Sequence, residues 1–161
     1  MEYHIRKADG GDLGRILEIY ACARDFMAQT GNPTQWGKTH PSEKMLREDI
    51  AQGNLYLVCS ENGIHGVFAL CFGEDPTYKV IENGAWSSDA PYGTIHRIAS
   101  DGSGGVFSAA VAYCRERVDY LRIDTHHDNR VMQHILEKNG FTPCGVIYVE
   151  DGSPRIAYDR L

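Results

Sequence analysis

Apolar residues recur along this chain in two rhythms. Leu13, Ile16, Leu17, Tyr20 and Met27 follow a three- and four-residue spacing, which predicts a helix. Asp9, with Asp12 three residues on, has the form of an acidic helix start, and Gly31-Asn32-Pro33 ends the run. Met45, Leu46 and Ile50 stripe a second helix, capped by Ser42 and stopped by Gly53. Shorter apolar runs predict strands at Tyr3–Arg6, Leu55–Ser60 and Ile64–Phe72, the last two joined through the hairpin signal Asn62-Gly63. Asp75-Pro76 predicts the cap and first turn of a short helix ending near Gly84, and residues 85–93 read as loop.

The second half is more regular. Thr94–Ala99 is a strand, and a glycine-rich turn follows. Phe107, Ala110, Val111, Cys114 and Val118 mark a helix, and Tyr120–Asp124 is again a strand. Asp128 is the expected cap of another helix, with Val131, Ile135 and Leu136 apolar and Asn139-Gly140 closing it. Phe141–Val149 and Arg155–Tyr158 form a terminal hairpin around Asp151-Gly152. Strand–helix–strand–helix–strand after a β-rich first half implies an α/β layered domain with at least one parallel crossover. No repeat or linker breaks residues 1–161, so one domain is expected.

Composition narrows the function classes. Apolar content of 42% and charged content of 24% are those of an ordinary globular chain. The net charge is −6, and no basic cluster appears, so nucleic acid is not an expected partner. The five cysteines are scattered, without a CxxC pair, which argues against structural zinc. Each sits in an apolar-rich segment and reads as a small buried hydrophobe, in keeping with a reducing cytosol. Met1 to Asp9 is polar and no apolar run approaches ~20 residues, so neither a signal peptide nor a membrane span is expected. A cytoplasmic location follows as the expectation.

The stretch Thr94 to Phe107 carries the first chemistry. A strand, a turn with Gly102, Gly104 and Gly105, and a helix start place free backbone N–H groups where an anion can meet them. The N–H groups from Ser103 to Ser108 are the expected donors. No Gly-Lys-Ser/Thr follows, so the stretch is not a P-loop, and it lacks the context of the dinucleotide fingerprint. The alternative is a plain flexible turn.

Four segments share a pattern. They are His96-Arg97-Ile98-Ala99, Arg122 through Asn129, Glu137-Lys138-Asn139-Gly140-Phe141, and Tyr148 through Arg155. In order and content they resemble the GNAT superfamily of N-acetyltransferases, which bind acetyl-coenzyme A. The resemblance implies a single-domain α/β fold: a mixed, mostly antiparallel sheet with a central parallel pair, flanked by helices. It implies that backbone groups of Ile98, Ala99 and Ser100 bind the pantetheine arm and thioester. Gly102, Ser103, Gly104, Gly105, Val106, Phe107 and Ser108 would hold the pyrophosphate. Asn129 would bond the pantetheine, with Met132 lining the same groove. Three positions depart from the family pattern. Gly102 stands where a basic or amide residue is usual, Phe107 where a small one is, and Leu136 where a tyrosine often supplies the acid.

The resemblance also implies an amine acceptor, which must lose a proton to attack. His96 is the candidate base, because its ordinary pKa of ~6.5 suits neutral pH. It shares strand parity with Ile98 and so can face the same cleft; a structural buried histidine is the other reading. Tyr148 is the candidate acid, against a strand tyrosine or a proton from solvent. Trp36, Tyr78 and Trp86 are candidate walls of an acceptor pocket. Asp124 could hold a substrate cation and Arg155 an acidic group. His126, His127 and Asp128 are adjacent on a turn and should point apart, so no metal is expected. The expected reaction is direct acetyl transfer from acetyl-coenzyme A to a primary amine of a small molecule or peptide. No cysteine lies at the cleft to argue for a covalent route. A non-catalytic module binding coenzyme A or a metabolite, and an enzyme for another phosphate ligand, are the alternatives. Oligomeric state is open, with a homodimer admitted.

Overall fold

The computed structural model describes residues 2–161. Its strands are β1 (His4–Lys7), β2 (Leu55–Ser60), β3 (Gly63–Phe72), β4 (Gly93–Ser100), β5 (Leu121–Thr125), β6 (Thr142–Tyr148) and β7 (Pro154–Arg160). Its helices are α1 (Leu13–Gln29), α2 (Glu43–Ala51), α3 (Val106–Arg115) and α4 (Arg130–Lys138). The strands form one sheet in the order β1-β2-β3-β4-β5-β7-β6. All neighbours are antiparallel except β4 and β5. The fold class read from the sequence is therefore the one observed.

Both faces of the sheet are covered, and strand alternation sorts the core. On β2, Leu55, Leu57 and Cys59 pack beneath α1 and α2 with Ile16, Ile19, Tyr20 and Leu46. Tyr56 and Val58 face the other way, toward Val106, Phe107, Ala110 and Val111 of α3 and Leu136 of α4. The first turn of α3 packs so closely on β3 that a Cβ at Gly66 would collide with Val106 Cγ1. A third cluster, Tyr78, Ile147 and Ala157, fills the end of the sheet around β6 and β7.

Local signals set several boundaries. Asp9 and Asp12 form a reciprocal capping box on a 3-10 turn, Gly10–Asp12, that leads into α1. Ser42 caps α2 by accepting from the Met45 N–H. Three expectations change. The helix expected from Asp75 to Gly84 is a single 3-10 turn, Pro76–Tyr78. The Glu82 N–H and carbonyl instead exchange 2.8 Å hydrogen bonds with Val146, and that pairing holds the chain extended. The cap of α4 is Asn129, whose side chain accepts from the Met132 N–H, and not Asp128. The cysteines are not uniformly buried: Cys59 and Cys114 are, Cys71 and Cys144 are half-buried, and Cys22 is exposed on the outer side of α1.

No helix among the described residues is long and apolar enough to cross a membrane.

Candidate functional site

The site begins where the sheet comes apart. β4 and β5 pair only at Gly93–Leu121 and Thr94–Arg122. Beyond Thr94 they diverge, so β4 backbone groups on that side lose their ladder partners. A cavity of about 500 Å3 opens there, walled by Ile95 to Ile98 of β4, Ile123 to Thr125 of β5, Asn129 and Met132 at the start of α4, and Arg155 of β7. The Thr125 hydroxyl is buried on this wall and, among the described residues, has no hydrogen-bond partner.

A bulge in β4 shapes the cavity wall. Ala69 of β3 pairs with His96 and Val67 with Ala99, so three steps on β4 match two on β3. Arg97 takes up the extra step in the left-handed region, at φ 51°. The Tyr20 hydroxyl donates to the Arg97 carbonyl at 2.6 Å, and the Arg97 guanidinium makes a two-pronged pair with buried Asp49, both contacts at 2.9 Å. The bulge also corrects the reasoning from parity. Ile95 packs on the α3 side and Ala99 on the α1 side, although strict alternation would put them together. His96, Arg97 and Ile98 consequently all border the cavity.

At the far end of β4 the glycine turn meets α3. Gly102 and Gly105 sit at φ 95° and 81°, where a side chain is strained, and nothing crowds either position within 3.5 Å. Glycine is needed there for backbone shape. The Gly102 N–H is held by the Ser100 hydroxyl and the Ser103 N–H by the Asp101 carboxylate. Among the described residues, the N–H groups of Gly104, Gly105, Val106, Phe107 and Ser108 have no protein partner. The donor set is thus one residue shorter than Ser103–Ser108. Val106 and Phe107 turn their side chains into the core, Phe107 edge-on to Phe141. The bulky side chain in this loop therefore points away from the row of unpaired N–H groups. These five donors and the unpaired β4 edge suit a ligand with a phosphate at one end and amides along its length, as coenzyme A has.

The acid–base chemistry collects on the opposite part of the cavity wall. His96 Nε2 lies 2.9 Å from Asp75 Oδ2, and Nδ1 has no partner among the described residues. Asp75 Oδ1 also accepts from the Thr77 N–H and hydroxyl. Burial opposes ionisation of Asp75, but the His96 and Thr77 hydrogen bonds prevail and bring its pKa down to about 2. Asp124 is the reverse case. Burial raises its pKa, although the Tyr78 hydroxyl donates to it at 2.6 Å. Burial, with Asp124 and Asp75 nearby, drives the Tyr78 phenol well above its ordinary value, so it stays a donor. Burial lowers the pKa of His40, helped by the charges of Arg97, Arg155 and Arg24.

Of the residues singled out from sequence, His96, Ile98, Trp36, Asp124, Asn129, Met132 and Arg155 border one cavity. Tyr78 lies just behind it and reaches it through Asp124. Trp86 is a layer further back, donating to the Tyr78 carbonyl and stacked by Arg122 at 4.1 Å. Ala99 is in the α1-side core. Tyr148 is not brought to the cavity; it is 42% exposed and its hydroxyl donates to Glu82. Leu136 is fully buried beneath α4.

Three residues escape a reading by motif. Asp75 declares itself only as a cap, Gln35 sits in an irregular segment, and Asp49 looks like one more polar position of α2. Gln35 accepts from the Asn129 side chain at 3.1 Å, tying the loop after α1 to the start of α4. The adjacent His126, His127 and Asp128 do not point apart. Their ligand atoms fall within 4.8 Å of one another, with the two imidazoles stacked at 4.4 Å. The turn folds back because the Asp128 N–H donates to His126 Nδ1, which occupies that nitrogen.

No family model matches the sequence, and no curated protein does. Solved structures do. An acetyltransferase of the GNAT family from Streptococcus agalactiae is 29% identical with a TM-score of 0.91, over 99% of this chain and 95% of that one. A GNAT acetyltransferase from Listeria monocytogenes is 17% identical with a TM-score of 0.72, over 99% and 95%. A phosphinothricin acetyltransferase of the same superfamily from Sinorhizobium meliloti, solved with AcCoA, is 17% identical with a TM-score of 0.64, over 99% and 88%. Over nearly its whole length this chain is thus similar in structure to acetyltransferases of the GNAT family, and its sheet with a parted β4–β5 pair matches their fold.

Proposed function

We propose that this protein is an N-acetyltransferase that uses acetyl-coenzyme A and acylates an amine held in the β4–β5 cavity. The observation that carries this reading is the His96–Asp75 pair on the wall of a cavity whose other side is the unpaired edge of β4.

The free N–H groups of Gly104 to Ser108 would hold the pyrophosphate, and β4 groups near Ile98 would hold the pantetheine amides. Asn129 spends its carbonyl oxygen on capping α4 and its amide on Gln35, so it would meet the arm through its remaining N–H. When bound, acetyl-coenzyme A supplies a thioester that an unprotonated amine attacks directly. Asp75, ionised, takes the proton on His96 Nε2 as its hydrogen-bond partner, leaving Nδ1 with a lone pair. That nitrogen would accept the proton that the amine loses. An N–H of the bulged β4 segment would face the oxygen on which negative charge develops. Neither Tyr148 nor Leu136 is placed to return a proton, so solvent is the proposed source.

A panel of amines incubated with acetyl-coenzyme A and resolved by mass tests this function. Acetylation of at least one amine, lost in His96→Gln, is expected. Tight binding of coenzyme A with no turnover on any amine would leave the alternative, a non-catalytic coenzyme A module.

A further inference from the structure

Among the charged side chains on the cavity wall, Arg155 is distinctive. It is only 9% exposed, yet no carboxylate of the described residues lies within 4.0 Å of it. Among the described residues the guanidinium's sole hydrogen bond is to the neighbouring Pro154 carbonyl, at 2.9 Å, from a group that carries five N–H donors. A buried charge left in this state is costly unless something completes it. The other arginine of the wall, Arg97, is already matched by Asp49.

The sheet register says where Arg155 sits relative to the reactive end. Asp124 of β5 pairs with Ala157 of β7, and Arg155 lies two residues from Ala157 on the same face. Arg155 and Asp124 are therefore diagonal cross-strand neighbours, about 7–8 Å apart at the backbone. An arginine side chain can bridge that separation, yet no hydrogen bond or ion pair joins the two, and both border the cavity, where one small molecule with opposite charges at its ends can meet them. Asp124 belongs to the same wall as His96 and Asp75.

We propose that the acetyl acceptor is an amine that also carries a carboxylate, as a free amino acid does, with the carboxylate on Arg155 and the ammonium beside Asp124. This rests on reading the cavity as the acceptor site of an acetyltransferase. A single planar guanidinium suits a monoanionic carboxylate, which it can bind with two parallel hydrogen bonds. A doubly charged phosphate fits less well, because Glu150 and Asp151 share the wall. The anion is also not the cofactor's pyrophosphate, since no residue of the Gly102–Ser108 turn borders this cavity.

The test uses matched acceptors: the free amino acids, the same amino acids as carboxamides, and O-phosphoethanolamine. Acetylation is followed by mass and steady-state rate, and acceptor binding by calorimetry with coenzyme A present. The free acids should outperform their amides by at least tenfold in kcat/KM, mainly through KM. Arg155→Gln should erase that preference and Arg155→Lys keep part of it, while both retain the wild-type rise in Tm with coenzyme A. Amides as good as acids, phosphoethanolamine as the preferred acceptor, or an unchanged preference in Arg155→Gln would overturn the proposal while leaving acetyl transfer standing. Binding of the free acids that depends on Arg155, without any turnover, would uphold the carboxylate subsite and remove the acetyltransferase reading.

Discussion

His96 of β4 and Asp75, twenty-one residues earlier in an irregular segment, are held together by a 2.9 Å hydrogen bond on the wall of the cavity. Asp75 is anchored in turn by Thr77, so the imidazole has a fixed orientation. Asp75 is thus a positioning residue for His96. In the proposed reaction, Asp75→Asn should lower kcat roughly ten- to a hundredfold with little change in acceptor KM, and Asp75→Glu should recover part of it. His96→Gln should cost more than Asp75→Asn. Steady-state rates of the three variants from pH 6 to 9 check this, and equal rates in Asp75→Asn and wild type would remove Asp75 from the machinery.

The same carboxylate is linked to acid stability. Its folded pKa, about 2, lies below the ordinary 3.8, so its contribution is complete above about pH 4 and is lost as the pH falls toward 2. The Tm deficit of Asp75→Asn should be largest at neutral pH and shrink across that window. Thermal melts at pH 7, 4 and 2.5 measure it; a deficit that does not vary with pH contradicts the linkage.

Asp124 has the opposite sign. Its folded pKa is raised, chiefly by burial, so its contribution to stability is complete below the ordinary value of 3.8 and is lost as the pH rises from there through the raised folded value. Asp124→Asn keeps an acceptor for the Tyr78 hydroxyl and removes the buried charge. Its Tm at pH 7 should rise by about 2–4 °C, equivalent to ~1 kcal/mol for a domain of this size. Acceptor affinity should fall in the same variant. A loss of stability at pH 7 would mean that the charge is better compensated than its surroundings indicate.

The Arg97–Asp49 pair supports the bulge that turns the β4 wall toward the cavity. Truncating Arg97 to Ala would leave Asp49 buried and uncompensated, at a cost of about 3 kcal/mol or more. Removing both partners should cost less than the sum of the single changes, because neither charge is then stranded. Urea unfolding of the two single variants and the double variant gives this coupling directly; additive costs would show that the pair does not act as a unit.

Gly66→Ala should disturb cofactor binding from a distance. The added methyl would meet Val106 Cγ1 and come within 3.2 Å of the Ala99 carbonyl, pushing the first turn of α3 off the sheet. Overpacking of this kind costs about 1–3 kcal/mol. The rise in Tm produced by coenzyme A should also shrink, since the displaced turn carries the free N–H groups. An unaltered coenzyme A response would separate the α3 N-terminus from the cofactor site.

Local chemistry in the sequence was enough for most of the elements. Helical spacing in Leu13–Met27, the apolar run of Leu55–Ser60, and the Ser42 and Asp9 caps depend on neighbours a few residues away, so they are visible without the fold. The resemblance added the sheet type and the order of the second half. It also brought part of the cavity wall into view, because His96, Asp124, Asn129 and Arg155 lie at or near strand and helix ends that the motifs mark.

The pairings that give those residues their chemistry came only from the tertiary structure. Nothing near Asp75 in sequence announces His96, and nothing in α2 announces that Asp49 must neutralise Arg97. Parity on a strand fails at a bulge, and the bulge at Arg97 is stabilised by Tyr20 and Asp49, which are far away in sequence. The helix expected after Asp75 yields to hydrogen bonds with Val146, sixty-four residues on from Glu82. Spacing along the chain specifies which elements form. Which charges are matched, and which one is left for a ligand, depends on contacts across strands and between layers, and for Arg155 and Asp124 it depends on the register of β5 against β7.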